Sequence, residues 1–335
     1  MPRISVITPT YNCAAFLPGA LTSALGQSYR DLEVLVVDDG STDGTRELVE
    51  AFGSPVRYLW QPNRGVSAAR NLALAAAGGE LVAYLDADDA WVPHKLERQV
   101  VYLDAHPDCA LVHSDAAFID ERDTVLFPAY WRDVGRRPAR GACLLELLRQ
   151  NTVHMPSVLE RRTALDRAGR FDPRARAAED YLHWLQLAVQ GGRFGYLEEP
   201  LALYRKRGGS LSQDPRGMRE GYVTAFEILL GEGRLEAQAG REATAIVRAR
   251  LSELRLELAY LHRIASDPAR ARHHLWQEAK AAPLRIAPYR ELLKTLVPRR
   301  AAAWLRSRGA RSAPTPGTGP AAAPPRRRAA CPESR

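Results

Sequence analysis

The sequence predicts an α/β protein, a mostly parallel β-sheet sandwiched by helices, with a helical C-terminal segment and a basic tail. Three observations carry this. Short strand-like runs alternate with stretches of helical spacing over about the first 120 residues. Two of the runs, Leu32–Val37 and Leu81–Leu85, are almost unbroken in apolar residues, as strands covered on both faces are. Strands separated by helices need crossover connections, which make neighbouring strands parallel.

Taken in order, Ile4–Thr8 is a β-branched run ending at Pro9, and Phe16–Ser28 has helical spacing with Phe16, Ala20, Leu21, Ala24 and Leu25 on one face. Strand Leu32–Val37 stops at Asp38-Asp39-Gly40. Thr45–Phe52 reads as helix, Val56–Trp60 as strand and Val66–Ala77 as helix. Leu81–Leu85 is a buried strand, Lys95–Asp104 a helix and Ala110–Ile119 an extended run. Residues 120–140 are broken by Pro128, Gly135 and Pro138. A helix is expected over Ala142–Gln150, a strand over Pro156–Glu160, a helix over Asp180–Gln190, and strands over Arg193–Leu197 and Leu201–Arg205. From about Met218 the pattern is helical to Leu296, interrupted at Asp267-Pro268 and Ala282-Pro283. Leu256–Ala282 has the look of a single tetratricopeptide-style hairpin, and one such unit forms no solenoid. The expected division is therefore residues 1–215, a ligand-binding α/β domain, residues 216–298, a helical segment, and residues 299–335, a Pro-, Ala- and Arg-rich tail expected to be disordered.

Charge follows this division. The formal net charge is +8, and residues 299–335 hold nine Arg against one Glu, so the remaining residues balance. A nucleic-acid partner loses its main support, because the folded part carries no excess of positive charge. The tail is instead expected to allow peripheral contact with an anionic membrane. No apolar run approaches the roughly 18 residues that cross a bilayer, and the N-terminus enters a strand without a leader pattern. The expected location is the cytoplasm, with a solvated, disordered tail as the first reading and peripheral association at the inner membrane face as the alternative. Cys13, Cys109, Cys143 and Cys331 are widely spaced, which fits reduced thiols and no zinc site. The eight histidines form no H-E-x-x-H pair, and the adjacent His273 and His274 diverge on a helix.

The polar segments carry the chemistry. Thr8-Pro9-Thr10-Tyr11-Asn12, Asp38-Asp39-Gly40-Ser41-Thr42-Asp43 and Asp86-Ala87-Asp88-Asp89 each follow the carboxyl end of a predicted strand. In open α/β sheets ligands bind at that edge, so the three are expected to converge on one crevice. Asp86 and Asp88, two apart in an extended segment, point to one side and offer hard oxygen ligands for magnesium or manganese. Asn63-Arg64-Gly65 stands at a helix start compatible with anion binding. Glu179-Asp180 opens a helix crowded with Tyr181, His183 and Trp184, and Asp180 can serve as a general base. Tyr204-Arg205-Lys206-Arg207, followed by Gly208-Gly209-Ser210, is a cationic segment able to close over phosphates.

Together these motifs resemble the family 2 glycosyltransferases, which have a GT-A fold. The match runs over about residues 3–212 through Ser5–Asn12, Val36–Asp43, Gly65–Asn71 and Tyr84–Asp89, and more loosely through Glu179-Asp180 with Trp184 and Tyr204-Arg205 with Ser210. The resemblance implies an inverting transferase that moves a sugar from a nucleoside-diphosphate sugar to a hydroxyl of a saccharide or lipid-linked saccharide, in cell-surface glycan or polysaccharide synthesis, with Mn2+ or Mg2+. It implies that Pro9, Tyr11 and Asp39 line the nucleoside pocket, that Asp86 lies near the ribose or donor sugar, that Asp88 holds the metal, that Arg70 and Arg205 serve the donor, and that Asp180 is the base. The family often has histidine where Arg207 stands, and arginine cannot ligate a metal although it can grip a diphosphate. A non-catalytic protein holding a nucleotide sugar in a degenerate site is the alternative.

Overall fold

The computed structural model describes residues 1–210, 213–231 and 233–296, so the basic tail 299–335 lies outside the described residues. The first half alternates as expected: β1 (Ile4–Thr10), α1 (Leu17–Leu25), β2 (Leu32–Asp38), α2 (Thr45–Glu50), β3 (Val56–Trp60), α3 (Val66–Ala76) and β4 (Leu81–Tyr84). Then follow β5 (Ala90–Trp91), α4 (Lys95–Ala105), β6 (Cys109–Ile119), β7 (Val125–Phe127), α5 (Tyr130–Asp133) and α6 (Leu144–Arg149). A 3-10 turn, Met155–Ser157, leads into β8 (Leu159–Arg161), α7 (Arg162–Ala168), α8 (Glu179–Val189) and β9 (Arg193–Arg205). The chain continues through α9 (Pro215–Gly231), α10 (Arg234–Ile264), α11 (Pro268–Ala281) and α12 (Ile286–Leu296).

The sheet is mixed, which corrects the expectation of a mostly parallel one. Its order is β3-β2-β1-β4-β8-β6-β9-β5, with β7 on β6. The crossovers make β3, β2, β1 and β4 parallel. Beyond β4 the connections change, and β8 runs antiparallel to both β4 and β6 while β9 is parallel to β6. Strands β5 and β7 are antiparallel additions of two and three residues. They were invisible to patterning because runs that short hold no periodicity.

Two further differences have clear causes. The runs Arg193–Leu197 and Leu201–Arg205 form one strand. Its pairing with β6 passes from Ser114 opposite Leu197 to Asp115 opposite Pro200, so Glu198 and Glu199 are taken up in a bulge. A proline inside a strand is tolerated at such a bulge, where no ladder hydrogen bond is lost. The long helix α10 holds Gly240 at φ 78°, ψ −175°, a kink only a residue without Cβ takes readily.

The core explains why the helices stay attached. One apolar cluster joins Ile7, Val37 and Tyr84 of the sheet to Leu147 of α6, Trp184 of α8, Phe226 of α9 and Leu251 of α10. A second, containing Val6, Val34, Leu21 and Leu96, fills the other face between the sheet, α1 and α4. Helices α9 and α10 thus continue the main core. Within it, Glu160 is fully buried and accepts hydrogen bonds from the Tyr84 hydroxyl at 2.8 Å, with His183 Nε2 3.0 Å away. This pairing anchors α8 to β4 and β8.

Trp184 is fully buried and meets Tyr84 edge-on at 6.3 Å. Trp184→Ala is expected to lower the unfolding free energy by about 3–5 kcal/mol, measured by chemical denaturation followed by circular dichroism.

Candidate active site

The site grows from the carboxyl ends of β1, β2 and β4. These strands are adjacent and parallel, so Thr10, Asp38 and the residues after Tyr84 stand along one edge. The Asp39 N–H donates to the Thr10 carbonyl and the Leu85 N–H to the Ile7 carbonyl, each at 2.9 Å.

The loops after β1 and β2 are laced together. Asn12, at φ 48°, accepts the Thr42 N–H at 2.8 Å, and its own N–H donates to Ser41 Oγ at 2.9 Å. Asp43 accepts the Ala14 N–H at 3.0 Å. Asp38 accepts the Ser41 N–H at 2.7 Å and the Tyr58 hydroxyl at 2.8 Å. Pro9 is buried within β1, whereas Tyr11 is 52 % exposed beside this loop pair. An open cleft of about 720 Å3 beside them is lined by Asp38, Ser41, Thr45, Tyr58 and Trp60, and it does not include Asp86, Asp88 or Asp180.

Asp39 is buried, and its carboxylate accepts three hydrogen bonds: Gln61 Nε2 at 2.6 Å, the Arg64 N–H at 2.9 Å and the Gly65 N–H at 2.8 Å. The anion at the start of α3 is therefore the protein's own carboxylate, where the sequence left room for a ligand. Gly65, at φ 86° and ψ 163°, allows the turn that aims both N–H groups at it.

Arg70 is the hub. Its side chain lies on the apolar stripe of α3 beside Ala69, Ala73 and Leu74, and is almost fully buried. One nitrogen donates to Asp86 Oδ1 at 2.8 Å and another to Glu179 Oε1 at 2.6 Å, with the Phe171 ring 5.6 Å from the guanidinium carbon. Burial pulls the guanidinium toward deprotonation, but Asp86 and Glu179 more than offset it, so Arg70 is held firmly cationic. The strand tip after β4 is thereby clamped to the first turn of α8.

Asp180 follows Glu179 in that turn and keeps partial access to solvent. Ala177, at φ 63°, turns the chain into the helix. Burial first, then the neighbouring Glu179 charge, push the Asp180 carboxyl up to about 7, with Arg70 acting in the opposite direction. A carboxyl poised there suits proton transfer near neutral pH.

Past Asp86 the chain carries two more acids with different surroundings. Asp89 is buried and accepts the Arg205 N–H at 2.8 Å. Burial, then the charges of Asp88 and Asp86, hold its carboxyl well above the usual range. Asp88 is partly open, and its Oδ2 accepts from Arg207 Nε at 2.6 Å. Arg205 is spent on the framework: it donates to the Asp88 carbonyl at 2.7 Å, the Asp120 carbonyl at 2.9 Å and Asp123 Oδ1 at 2.7 Å. The Phe16 ring lies 5.3 Å from the Arg205 guanidinium carbon and 5.5 Å from that of Arg207.

The edge thus brings Asp86, Arg70 and Asp180 into one electrostatic neighbourhood, with Asp88 two residues beyond Asp86. Pro9 lies within β1, while Tyr11 and Asp39 belong to the neighbouring loops. Sequence reasoning missed the buried role of Glu179, the contact of Arg207 with Asp88, and Asp89. For Arg70 a signal existed: a charge on the apolar stripe of a helix needs a buried partner. Of the segment 120–157, His154 lies inside an aromatic group, stacked on Trp131 at 4.6 Å, and burial holds its imidazole down to about 3; Met155 is buried in the core.

For a divalent cation the donor chemistry fits in kind. Residues 86–89 form a turn, the Asp89 N–H donating to the Asp86 carbonyl at 3.1 Å, and not the extended segment that would point Asp86 and Asp88 to one side. Asp86 is held by Arg70, so Asp88 is the carboxylate that would offer oxygens of the type magnesium and manganese take, the remaining ligands being water and phosphate oxygens. Arg207 already stands on that carboxylate.

The fold and the comparisons with known proteins together define a glycosyltransferase. Residues 5–157 match the family model described as glycosyl transferase family 2. The chain is 31 % identical over 227 residues to the putative teichuronic acid biosynthesis glycosyltransferase TuaG of Bacillus subtilis (strain 168), a match spanning 64 % of this chain and 82 % of that protein. An uncharacterized glycosyltransferase of Nostoc sp. is 46 % identical over 102 residues, 29 % of this chain and 32 % of that protein. The chain therefore belongs to glycosyltransferase family 2, although the match spans about a third of the Nostoc relative's length. Two solved structures share the fold. S. aureus TarS 1-349 in complex with UDP-GlcNAc has a TM-score of 0.57 at 20 % identity, covering 83 % of this chain and 91 % of that one. The mannosyltransferase PcManGT from Pyrobaculum calidifontis, in complex with GDP-Man and Mn2+, has a TM-score of 0.58 at 23 % identity, covering 93 % and 80 %.

Two outcomes follow from this geometry. If Asp88 is the metal ligand proposed below, Arg207→Ala, which removes the fixed cation from it, is expected to tighten Mn2+ binding there by about tenfold, roughly one charge-assisted contact of 1.4 kcal/mol, read by calorimetry on the donor-free protein. Asp180 has a folded-state pKa raised above its unfolded value, so its contribution is fully present below about pH 4 and is lost as pH rises toward about 7. Asp180→Asn is therefore expected to be more stable than the parent at pH 8, with the gap shrinking below about pH 7 and closing only near about pH 4, in matched denaturant titrations.

Proposed function

We propose that the chain is an inverting glycosyltransferase that moves a sugar from a nucleoside-diphosphate sugar to a hydroxyl of a saccharide or lipid-linked saccharide, in cell-surface glycan or polysaccharide synthesis. The observation that carries this reading is the Arg70 clamp, which ties Asp86 at the tip of β4 to the helix turn that holds Asp180. An acid, a buried cation and a carboxyl raised to about 7 then share one sheet edge.

In this reading Pro9, Tyr11 and Asp39 border the nucleoside. The exposed Tyr11 ring offers a face for the base, and Asp39 fixes the 61–65 loop against it. Asp86, oriented by Arg70, lies toward the ribose or donor sugar. Arg205 acts through the backbone of the Asp88 loop, and its own guanidinium holds that loop in place. Asp88 would hold Mn2+ or Mg2+, whose charge offsets that of the departing diphosphate. Asp180 takes the proton of the acceptor hydroxyl as its oxygen attacks the anomeric carbon from the face opposite the diphosphate. The C1–oxygen bond to the diphosphate breaks in the same displacement, so the anomeric configuration inverts.

The relatives support the donor class. TarS is described with UDP-GlcNAc, PcManGT with GDP-Man and Mn2+, and TuaG by a part in teichuronic acid biosynthesis. No helix among the described residues is long and apolar enough to cross a membrane. A cytoplasmic enzyme that meets the inner membrane face through its Arg-rich tail fits a lipid-linked acceptor.

The test is a thermal-shift screen of nucleotide sugars with Mn2+ or Mg2+, followed by nucleoside-diphosphate release with an acceptor and product anomer assignment by NMR. Asp180→Asn is expected to lower kcat by about 10²–10⁴-fold with donor binding retained, while the parent's kcat falls as pH drops below about 7. Near-normal transfer by the variant, or a retained anomer, refutes the reading.

A further inference from the structure

A second cluster of ligating side chains lies among the C-terminal helices. Glu220 of α9, His262 of α10 and His274 of α11 each present one donor atom, and all three atoms lie within 4.8 Å of one another. His262 is almost fully buried, and its Nε2 stands 3.1 Å from Glu220 Oε1. The His262 and His274 rings face each other at 5.5 Å, 13° from parallel. His273, although adjacent in sequence, is exposed, so the pairing that matters joins two helices.

We infer that Glu220, His262 and His274 form a binding site for a zinc-class divalent cation that staples α9, α10 and α11 together.

Three points carry the assignment. The donor set is two imidazoles and one carboxylate. Nitrogen-rich sets of this kind suit zinc and its neighbours, unlike the carboxylate oxygens at Asp88. The spacing is close to what such an ion needs. Bonds of about 2.0–2.1 Å in a tetrahedron put donor atoms about 3.4 Å apart, so the Glu220–His262 pair is already in range and a small side-chain rotation brings in His274. The third point is the far side of the His262 ring. Its Nδ1 is buried with no hydrogen-bond partner among the described residues, and Asp267 Oδ2 stands 3.9 Å away. A carboxylate behind a ligating imidazole fixes the proton on the outer nitrogen and leaves the inner one free for metal.

The competing occupant of Glu220 is Arg270, whose guanidinium is 3.9 Å from the same Oε1 and 67 % exposed. Its exposure lets it swing away into solvent, whereas His262 cannot leave. The site is separate from the transfer chemistry: it uses no residue of the strand edge, and it stands or falls without the functional reading above.

The experiment uses the full chain without a polyhistidine tag, stripped with chelator and dialysed. Zn2+ is titrated against a chromophoric chelator competitor, and Co2+ is added separately to read its visible ligand-field bands. The expected result is one tight equivalent of Zn2+ per chain, a melting temperature raised by several degrees, and Co2+ bands of tetrahedral intensity. His274→Ala and Glu220→Gln alter half-buried positions that tolerate change, and each is expected to weaken Zn2+ at least tenfold and abolish the Co2+ bands. His262→Ala serves as a third variant, read only if its far-ultraviolet spectrum matches the parent. Absence of a tight equivalent, or Zn2+ affinity and Co2+ bands unchanged in His274→Ala and Glu220→Gln, overturns the assignment in favour of an Arg270–Glu220–His262 network without metal.

Discussion

The arrangement depends on one buried cation. Arg70 sits where a helix stripe would ordinarily carry an apolar side chain, and an unpaired guanidinium there would be strongly destabilising. Two carboxylates from remote parts of the chain satisfy it, one from the tip of β4 and one from the start of α8. The pairing fixes the distance between the sheet edge and the helix that carries Asp180. It also sets the charge around that carboxyl, because Glu179 raises its affinity for a proton while Arg70 lowers it. Position and proton affinity are thus consequences of the same three-residue contact.

The surrounding loops follow a similar logic: polar groups near the site are mostly turned on one another. Asp39 holds the 61–65 loop, Asn12 and Asp43 hold the first two loops together, and Arg205 holds the Asp88 loop against the 120–123 turn. Such mutual satisfaction is what lets loops carry function without losing their shape. The groups left more open are few, and they include Tyr11, Asp88 and Asp180. At Asp88 the opening is guarded by Arg207, a side chain with the right charge to be exchanged for a metal or turned to a diphosphate.

The sequence made the parallel half of the sheet legible, because crossovers and apolar strands leave strong local patterns. It also made the edge legible: acids after Val37 and Leu85 fall on one side once the strands are parallel. What it hid depended on pairing across distance. Nothing local says that β8 turns antiparallel, or that residues 193–205 are one bulged strand instead of two. The Arg70–Glu179 contact spans 109 positions, and a single sequence holds no record of such a partner. The helix dipole accounts for an acid such as Glu179 in a first turn, but not for a buried one. His274 looked unpromising beside His273 because its partner belongs to another helix.

The continuity of the main core from β1 to α10 has a consequence for synthesis. The α/β portion leaves the ribosome with the outer faces of α6 and α8 bare, since Phe226, Leu251 and Leu258 that complete their cluster come later. At roughly 5–20 residues per second, several seconds separate the end of the sheet from the arrival of its last cover. During that interval the nascent chain shows a greasy flank to the cell, and a holding chaperone, or a slow stretch of translation placed elsewhere, would decide how much of it survives to finish folding.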